Sequence, residues 1–332
     1  MSAAPREPLR LMLVGCGAVA RRHTEALRRD ERIVWTCFCD PRREAAQAFA
    51  DEYARPEVDV AVETDFAEAL ARRACDAVVL CSPNARHYEQ VSASLDAELH
   101  VLCEKPLAVE RGHIEDLIDR AARRRRIVSI AHQRRYKGAY VTARRELQTR
   151  PERYGAIRQI HIYTCERWAS GIAGTWRDDP AQNLGYCGDA GIHQIDVVRF
   201  VAGIEPLRLS ALSERRGRHV EIVSRITAEW SGGAGMAAHY VGDAHHWRED
   251  VHFHCERADL LLRSERLFRG CEGRAEPIVD LEPDGDPATA LIDAILSGRP
   301  VATPPEIARP IFAWNAAVGE SIRRGGAWVD VV

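Results

Sequence analysis

Apolar residues follow two rhythms along this chain. Over the first third, short and nearly continuous apolar runs alternate with longer amphipathic segments. Leu9 to Val14 reads as a strand, followed by a Gly-rich turn and a helix through about Arg28. Ile33 to Cys39 is a second strand ending in Asp40, and Pro41 suits the first turn of a helix from Arg42 to Tyr53. Val58 to Val62 is a weaker strand, and Asp65 to Arg73 a short helix with an acidic start. Asp76 to Cys81 predicts a strand running into the turn Ser82-Pro83-Asn84, with a helix from about His87 to Leu95. His100 to Cys103 is a strand stopped by Glu104-Lys105-Pro106; a helix, Glu110 to Arg125, and a strand, Ile127 to Ala131, follow. Strands that are apolar throughout, with helices between them, specify a parallel sheet covered on both faces.

The rhythm changes after about His132. A helix is expected near Tyr140 to Gln148, then Ile157 to Cys165 alternates as a half-buried strand should. Leu207 to Ser213, Glu221 to Trp230, Gly235 to Val241, Val251 to Cys255 and Asp259 to Arg263 are further strands. Two helices close the chain, Pro287 to Leu296 and Glu306 to Arg323. Runs of strands separated by turns predict a large, mainly antiparallel open-faced sheet in an α+β domain. The division expected is an α/β domain over 1–132 and an α+β domain over 133–332.

Composition narrows the function without choosing it. The 332 residues suffice for two cores. A formal net charge of -3 gives no basic field for nucleic acid. The run Arg123 to Arg126 suits a helix end, where cations meet the negative pole of the dipole. No stretch approaches the roughly 20 apolar residues of a membrane span. Met1 to Arg10 lacks the apolar core of a signal peptide. Of the ten cysteines, Cys16, Cys37, Cys39, Cys81 and Cys103 lie in or beside strand-like runs, as small hydrophobes do, so a reduced, cytoplasmic protein is expected.

Gly15-Cys16-Gly17-Ala18-Val19-Ala20 follows a strand and opens a helix, the G-x-G-x-x-A form of a dinucleotide-binding turn. Gly15 permits the tight turn, Gly17 lets a pyrophosphate approach the helix N-terminus, and Ala20 keeps helix and sheet close. Asp40 lies 23 residues beyond Gly17, near the spacing at which a carboxylate takes ribose hydroxyls. A carboxylate there repels a 2′-phosphate and favours NAD. Arg42 and Arg43 could cradle that phosphate if Asp40 turned away, which keeps NADP open.

Lys105 ends a predicted parallel strand, the edge at which ligands of α/β sheets gather. In the second half, Asp189, His193 and Asp196 fall on one face of a helix, with Ile195, Val198 and Ala202 roughly opposite. Gly185, Gly188 and Gly191 remove side chains near that helix start and are expected to leave room for substrate or cofactor. His252 and His254 share a strand face near His245 and His246, but no carboxylate or Cys completes a metal-ligand spacing. No metal is expected.

The ordered set of these motifs carries a resemblance: the glycine turn, Ser82-Pro83-Asn84 with His87, Glu104-Lys105-Pro106, Trp176-Arg177, and Asp-x-Gly-x-His-x-x-Asp from Asp189. The chain resembles the glucose–fructose oxidoreductase, inositol dehydrogenase and rhizopine-catabolism (Gfo/Idh/MocA) family over nearly its whole length. The resemblance implies a Rossmann domain holding NAD(P), with Gly15, Cys16, Gly17, Ala18, Val19, Asp40, Arg42, Ser82, Pro83, Asn84, His87, Glu104, Lys105, Trp176 and Arg177 toward the cofactor. It implies Lys105, Asp189 and His193 as the catalytic group, and hydride transfer between nicotinamide and a secondary hydroxyl or ketone of a sugar, cyclitol or related polyol. It also implies a homodimer or homotetramer built through the second-domain sheet. Asn183 to Gly188 departs from the family's more continuous glycine cluster, so Tyr186 and Cys187 bear on which substrate fits.

The chemistry agrees with the residue types. Oxidising an alcohol requires removal of a hydroxyl proton, for which imidazole is suited near neutral pH. A lysine can stabilise negative charge on the substrate oxygen, and an aspartate can orient the imidazole. Two other functions use the same features. One is a glycosidase-like enzyme that oxidises, eliminates and re-reduces with tightly held NAD. The other is a non-catalytic NAD-binding regulator of the same fold.

Overall fold

The nearly continuous apolar runs form the expected parallel sheet, because each strand is flanked by helices on both sides. The computed structural model describes residues 7–72 and 75–332. In chain order, β1 (Leu9–Val14), α1 (Ala18–Leu27), β2 (Ile33–Cys39), α2 (Arg43–Tyr53), β3 (Ala61–Glu63) and α3 (Phe66–Ala71) come first. The expected end of that last helix at Arg73 lies outside the described residues. There follow β4 (Ala77–Leu80), α4 (His87–Asp96), β5 (His100–Cys103), α5 (Arg111–Arg124) and β6 (Val128–Ile130). The strands lie in the order β3-β2-β1-β4-β5-β6, with every pairing parallel.

The second unit begins at Arg134. It contains α6 (Gly138–Thr149), α7 (Pro151–Tyr154), β7 (Ile157–Cys165), α8 (Gly185–Asp189), α9 (Ile192–Ala202), β8 (Pro206–Glu214), β9 (Val223–Trp230), β10 (Gly235–Val241), β11 (Arg248–Cys255), β12 (Asp259–Arg263), β13 (Arg266–Cys271) and β14 (Arg274–Pro277). The chain ends with α10 (Pro287–Ser297), α11 (Ala308–Arg323) and β15 (Val329–Asp330). The nine strands run β14-β13-β12-β11-β7-β10-β9-β8-β15, antiparallel except where β10 meets β7. Alternation sends Ile160 and Ile162 of β7, Ala238 and Tyr240 of β10, and Val251 and Phe253 of β11 into the core beneath α6, α9 and α11. Trp230 and Trp314 meet there at 5.8 Å.

One expectation needs correction. The sequence reading gave everything after 132 to the second domain, but Gly285–Ala308 belongs with the first unit. The reason is the apolar stripe of α10: Ala288, Leu291 and Ile292 are buried with Leu11, Leu13, Ala77 and Leu102. Asp286 caps this helix by accepting from Thr289 N at 2.8 Å, and Pro287 occupies its first turn. Ser129 and Thr303 then join their hydroxyls at 2.9 Å beside β6. Three further elements, β13, β14 and β15, had no strand signal. The first two form a largely polar hairpin turning at Glu272-Gly273, and β14 is exposed throughout.

The core position of α10 is testable. Leu291→Ala removes a side chain only 1% exposed from the first unit's core. Chemical denaturation should show a loss of about 2–5 kcal/mol. A loss typical of a surface site would contradict the assignment of this helix.

Candidate functional site

The strand order reverses between β1 and β4, and a crevice opens at their carboxyl ends where the crossovers leave to opposite faces. Gly15 sits at that seam with φ +86°, and its N–H donates to Cys39 O at 2.8 Å. A Cβ at Gly15 would fall 2.7 Å from the Cys81 carbonyl carbon and 2.9 Å from Ser82 N. Only glycine allows this approach. Gly17 is the N-cap of α1, extended and without a side-chain cap, and Ala18 and Val19 begin the helix. A Cβ at Gly17 would meet nothing within 4 Å. The start of α1 thus lacks a side-chain cap and has open space beside Gly17, as an anion site requires.

Asp40 is 7% exposed, and its two oxygens are held separately. Oδ2 accepts from Cys16 N at 2.9 Å, which ties the glycine turn to the end of β2. Oδ1 accepts from Arg42 N at 2.9 Å, and the exposed Arg42 guanidinium approaches to 3.5 Å. Arg42 is the N-cap of α2, so Pro41 precedes the helix instead of sitting in its first turn. A carboxylate has about four acceptor positions, so Asp40 keeps capacity for a pair of hydroxyls. Burial pushes the Cys16 thiol up to about 12, leaving it neutral and unreactive in this turn.

The neighbouring strand ends are cross-linked below the same edge. His87, fully buried at the start of α4, places Nε2 2.9 Å from Ser82 O and Nδ1 2.7 Å from Pro106 O. It thus joins the turn after β4, in which Pro83 and the buried Asn84 lie, to the turn after β5. Complete burial lowers the imidazole pKa against the opposing pull of the carbonyls. Glu104, buried before Lys105, meets His23 Nε2 at 3.0 Å and Gln133 Nε2 at 3.3 Å, and accepts from Lys105 N at 3.3 Å. Burial opposes its ionisation, but His23 and Lys105 outweigh that and hold the carboxyl below its ordinary range. The sequence reading missed His23. Its signal was an imidazole on the buried stripe Ala20, His23, Thr24, Leu27 of α1.

In the second unit, Asp189 ends α8 and His193 lies in the first turn of α9. Ala190 and Gly191 between them keep helical dihedrals, so acid and imidazole stand one turn apart on one side. Arg177 donates from Nε to Asp189 Oδ2 at 3.2 Å, and its guanidinium lies 4.3 Å from the Trp176 ring. The Trp176-Arg177 pair is thereby joined to the Asp189 carboxylate. Asp196 is otherwise engaged: Arg135 donates to both its oxygens, at 2.9 Å from Nε and 2.7 Å from Nη2.

The glycines here have a different purpose from the one expected. A Cβ at Gly191 would strike Cys187 O at 2.4 Å and Tyr240 at 2.8 Å, and one at Gly185 would strike Glu221 O at 2.5 Å. Gly188 is closed by Leu184 at 2.3 Å. These positions bring α8 and α9 down onto the protein itself, so they do not open room for a ligand. On β11, His254 Nδ1 pairs with Asp259 at 3.0 Å and His252 Nε2 accepts from Arg263 at 3.3 Å. Among the described residues no group of three or more His, Cys, Asp or Glu is placed to hold a metal ion.

The first unit fits a dinucleotide: an uncapped helix N-terminus, space above Gly17, and a buried carboxylate beside it. Gly17 offers a test free of folding effects, because its added Cβ meets no protein atom. Gly17→Ala should leave the melting temperature unchanged while weakening NAD binding on the order of tenfold or more by calorimetry. Unchanged affinity would remove Gly17 from the cofactor site.

Residues 9–132 match the model described as oxidoreductase family, NAD-binding Rossmann fold, and residues 142–260 match the GFO/IDH/MocA C-terminal domain. Among curated proteins, the chain is 28% identical over 213 residues to D-glucoside 3-dehydrogenase of Escherichia coli, covering 62% of this chain and 58% of that one. It is 31% identical over 216 residues to inositol 2-dehydrogenase of Cereibacter sphaeroides, covering 64% and 59%. The chain thus spans less than two thirds of the length of these relatives. An inositol dehydrogenase homologue of Azotobacter vinelandii, solved with NAD+, superposes with a TM-score of 0.84 at 21% identity, covering 99% of each chain. With its glycine turn, its buried Asp40 and both domain matches in chain order, this chain belongs to the GFO/IDH/MocA oxidoreductase family, whose first domain is an NAD-binding Rossmann fold.

Proposed function

We propose that the protein is an NAD(P)-dependent dehydrogenase or reductase acting on a secondary hydroxyl or ketone of a sugar, cyclitol or related polyol. The observation that carries this reading is the Asp189–His193 pair: a buried carboxylate and an imidazole one helical turn apart, the acid steered by Arg177. Two curated relatives are named as dehydrogenases of a glucoside and of inositol, which supports the substrate class.

When bound, nicotinamide supplies the two-electron acceptor; the chain's own residues handle the proton and the charge. His193 takes the hydroxyl proton as general base. Lys105 stabilises negative charge on the substrate oxygen, its backbone fixed by the Glu104 carboxylate. Asp189 orients substrate or imidazole and stabilises the imidazolium. Gly15, Cys16, Gly17, Ala18 and Val19 take the pyrophosphate and Asp40 the ribose, with NAD preferred over NADP. Ser82, Pro83, Asn84 and His87 shape the same edge, while Trp176 and Arg177 are assigned to recognition of cofactor and substrate.

We place the protein in the cytoplasm, to which its ten free cysteines are suited. No described helix is long and apolar enough to cross a membrane. The side of the nine-stranded sheet opposite the core, where His161, Tyr163, Arg225, Thr227 and His239 are exposed, is the proposed contact in a homodimer or homotetramer.

Two measurements test this. Turnover would be followed as NADH absorbance across a panel of sugars and cyclitols. Lys105→Met should lower kcat by on the order of 10²–10³-fold with NAD affinity nearly unchanged. An undiminished rate would take Lys105 out of the mechanism. Asp40→Asn removes the charge that repels a 2′-phosphate, so the ratio of kcat/KM for NADP over NAD should rise on the order of tenfold. An unmoved ratio would mean that Asp40 does not set the preference.

A further inference from the structure

The start of α9 carries no side-chain N-cap, yet His193 must be held there if it is to receive a proton. What holds it is a buried charge network from two other elements. Glu249, at the start of β11, is 2% exposed and collects four donors. Arg134 donates to both its oxygens, to Oε1 at 3.1 Å. Tyr140 of α6 donates to Oε1 at 2.6 Å, and Gln194 of α9 donates from Nε2 to Oε2 at 2.6 Å. The adjacent Arg135 grips Asp196 on the same helix. Consecutive arginines thus secure both polar core-facing positions of this helix, one directly and one through Glu249.

Gln194 is the informative member. It is 1% exposed, and its amide oxygen is buried with no hydrogen-bond partner among the described residues. An unsatisfied buried acceptor costs stability, so stability alone would favour an apolar side chain at this position. The amide nitrogen compensates by making one short bond to a carboxylate that Arg134 already fixes. That bond pins the residue next to His193.

We propose that Glu249 and Arg134 are positioning residues that set the place of His193 through Gln194. The inference rests on the reading of His193 as the proton acceptor. It assigns the network to geometry at the reacting hydroxyl, since Glu249, Arg134, Tyr140 and Gln194 are given no role in binding substrate or cofactor.

Gln194→Met keeps the length and burial of the side chain and leaves Glu249 with Arg134 and Tyr140, so folding should survive. Its kcat should fall at least tenfold with KM and NAD affinity within twofold of wild type. Backbone hydrogen exchange over residues 190–197 should rise at least tenfold, with the melting temperature within a few degrees. Replacing the pair together, Arg134→Met with Glu249→Leu, removes both buried charges without stranding either and should give the same kcat loss. Wild-type kcat in Gln194→Met, or unchanged exchange over 190–197, overturns the proposal. Lys105→Met in the same assay separates the two failures. If it is inactive while Gln194→Met matches wild type, only the positioning role falls. If both match wild type, Lys105 leaves the mechanism as well; if wild type itself shows no turnover across the panel, the functional reading falls and takes the proposal with it.

Discussion

The first unit depends on how closely the ends of β1 and β4 approach each other. Gly15 brings its α-carbon against the Cys81–Ser82 peptide, where any side chain would collide. That contact sets the seam at which strand order reverses, and the crevice follows from it because α1 and α4 depart to opposite faces. The chain then braces the seam with local polar contacts. Asp40 holds Cys16 N, His87 spans the turns after β4 and β5, and Glu104 is reached by His23 from α1. The strands of this edge are thereby joined through side chains as well as through the sheet's own hydrogen bonds.

Buried charge recurs at each place where an element must be fixed in rotation or height. Apolar packing alone lets a helix slide or turn at small cost, whereas a buried carboxylate accepts only donors that arrive in place. Such pairs contribute little net stability, since desolvation consumes most of the attraction. Glu104 fixes the backbone N–H of Lys105, and Asp196 and Glu249 fix the helix that bears His193. Glu146 of α6 holds Arg150, Arg153 and Tyr154 around the short α7. These charges specify positions that hydrophobic burial leaves loosely defined.

The sequence was most legible where one local cause dominated. Continuous apolar runs located β1, β2 and β5, alternation located β7, and the glycine spacing located the nucleotide turn. It was least legible where the cause was tertiary. Nothing local says that α10 packs with strands about 190 to 280 residues earlier, because its stripe of Ala288, Leu291 and Ile292 would suit either core. The hairpin of β13 and β14 is polar because it lies at the sheet's margin, so its strands lack alternation strong enough to detect. Glu249 looked like one acid among many, since its partners Arg134, Tyr140 and Gln194 lie 55 to 115 residues away.

The glycines before α9 show how a correct motif can be given the wrong cause. Gly185, Gly188 and Gly191 were read as space for a ligand, yet each is filled by Glu221, Leu184, Cys187 or Tyr240. Gly191 lets the start of α9 close against Tyr240 of β10, and Gly185 lets α8 close against Glu221, so these two bear on the depth at which Asp189 and His193 stand. Tyr186 and Cys187, which distinguish this stretch, are buried at 0% and 4% exposure. They belong to the packing beneath the two helices, so their influence on substrate is indirect: they support the helices instead of lining a pocket. Selectivity in the second unit is therefore better sought among side chains with polar atoms near Asp189, beginning with Arg177, whose guanidinium is held between that carboxylate and Trp176. An arginine so placed has donors to spare, and a polyol presents hydroxyls that can accept them.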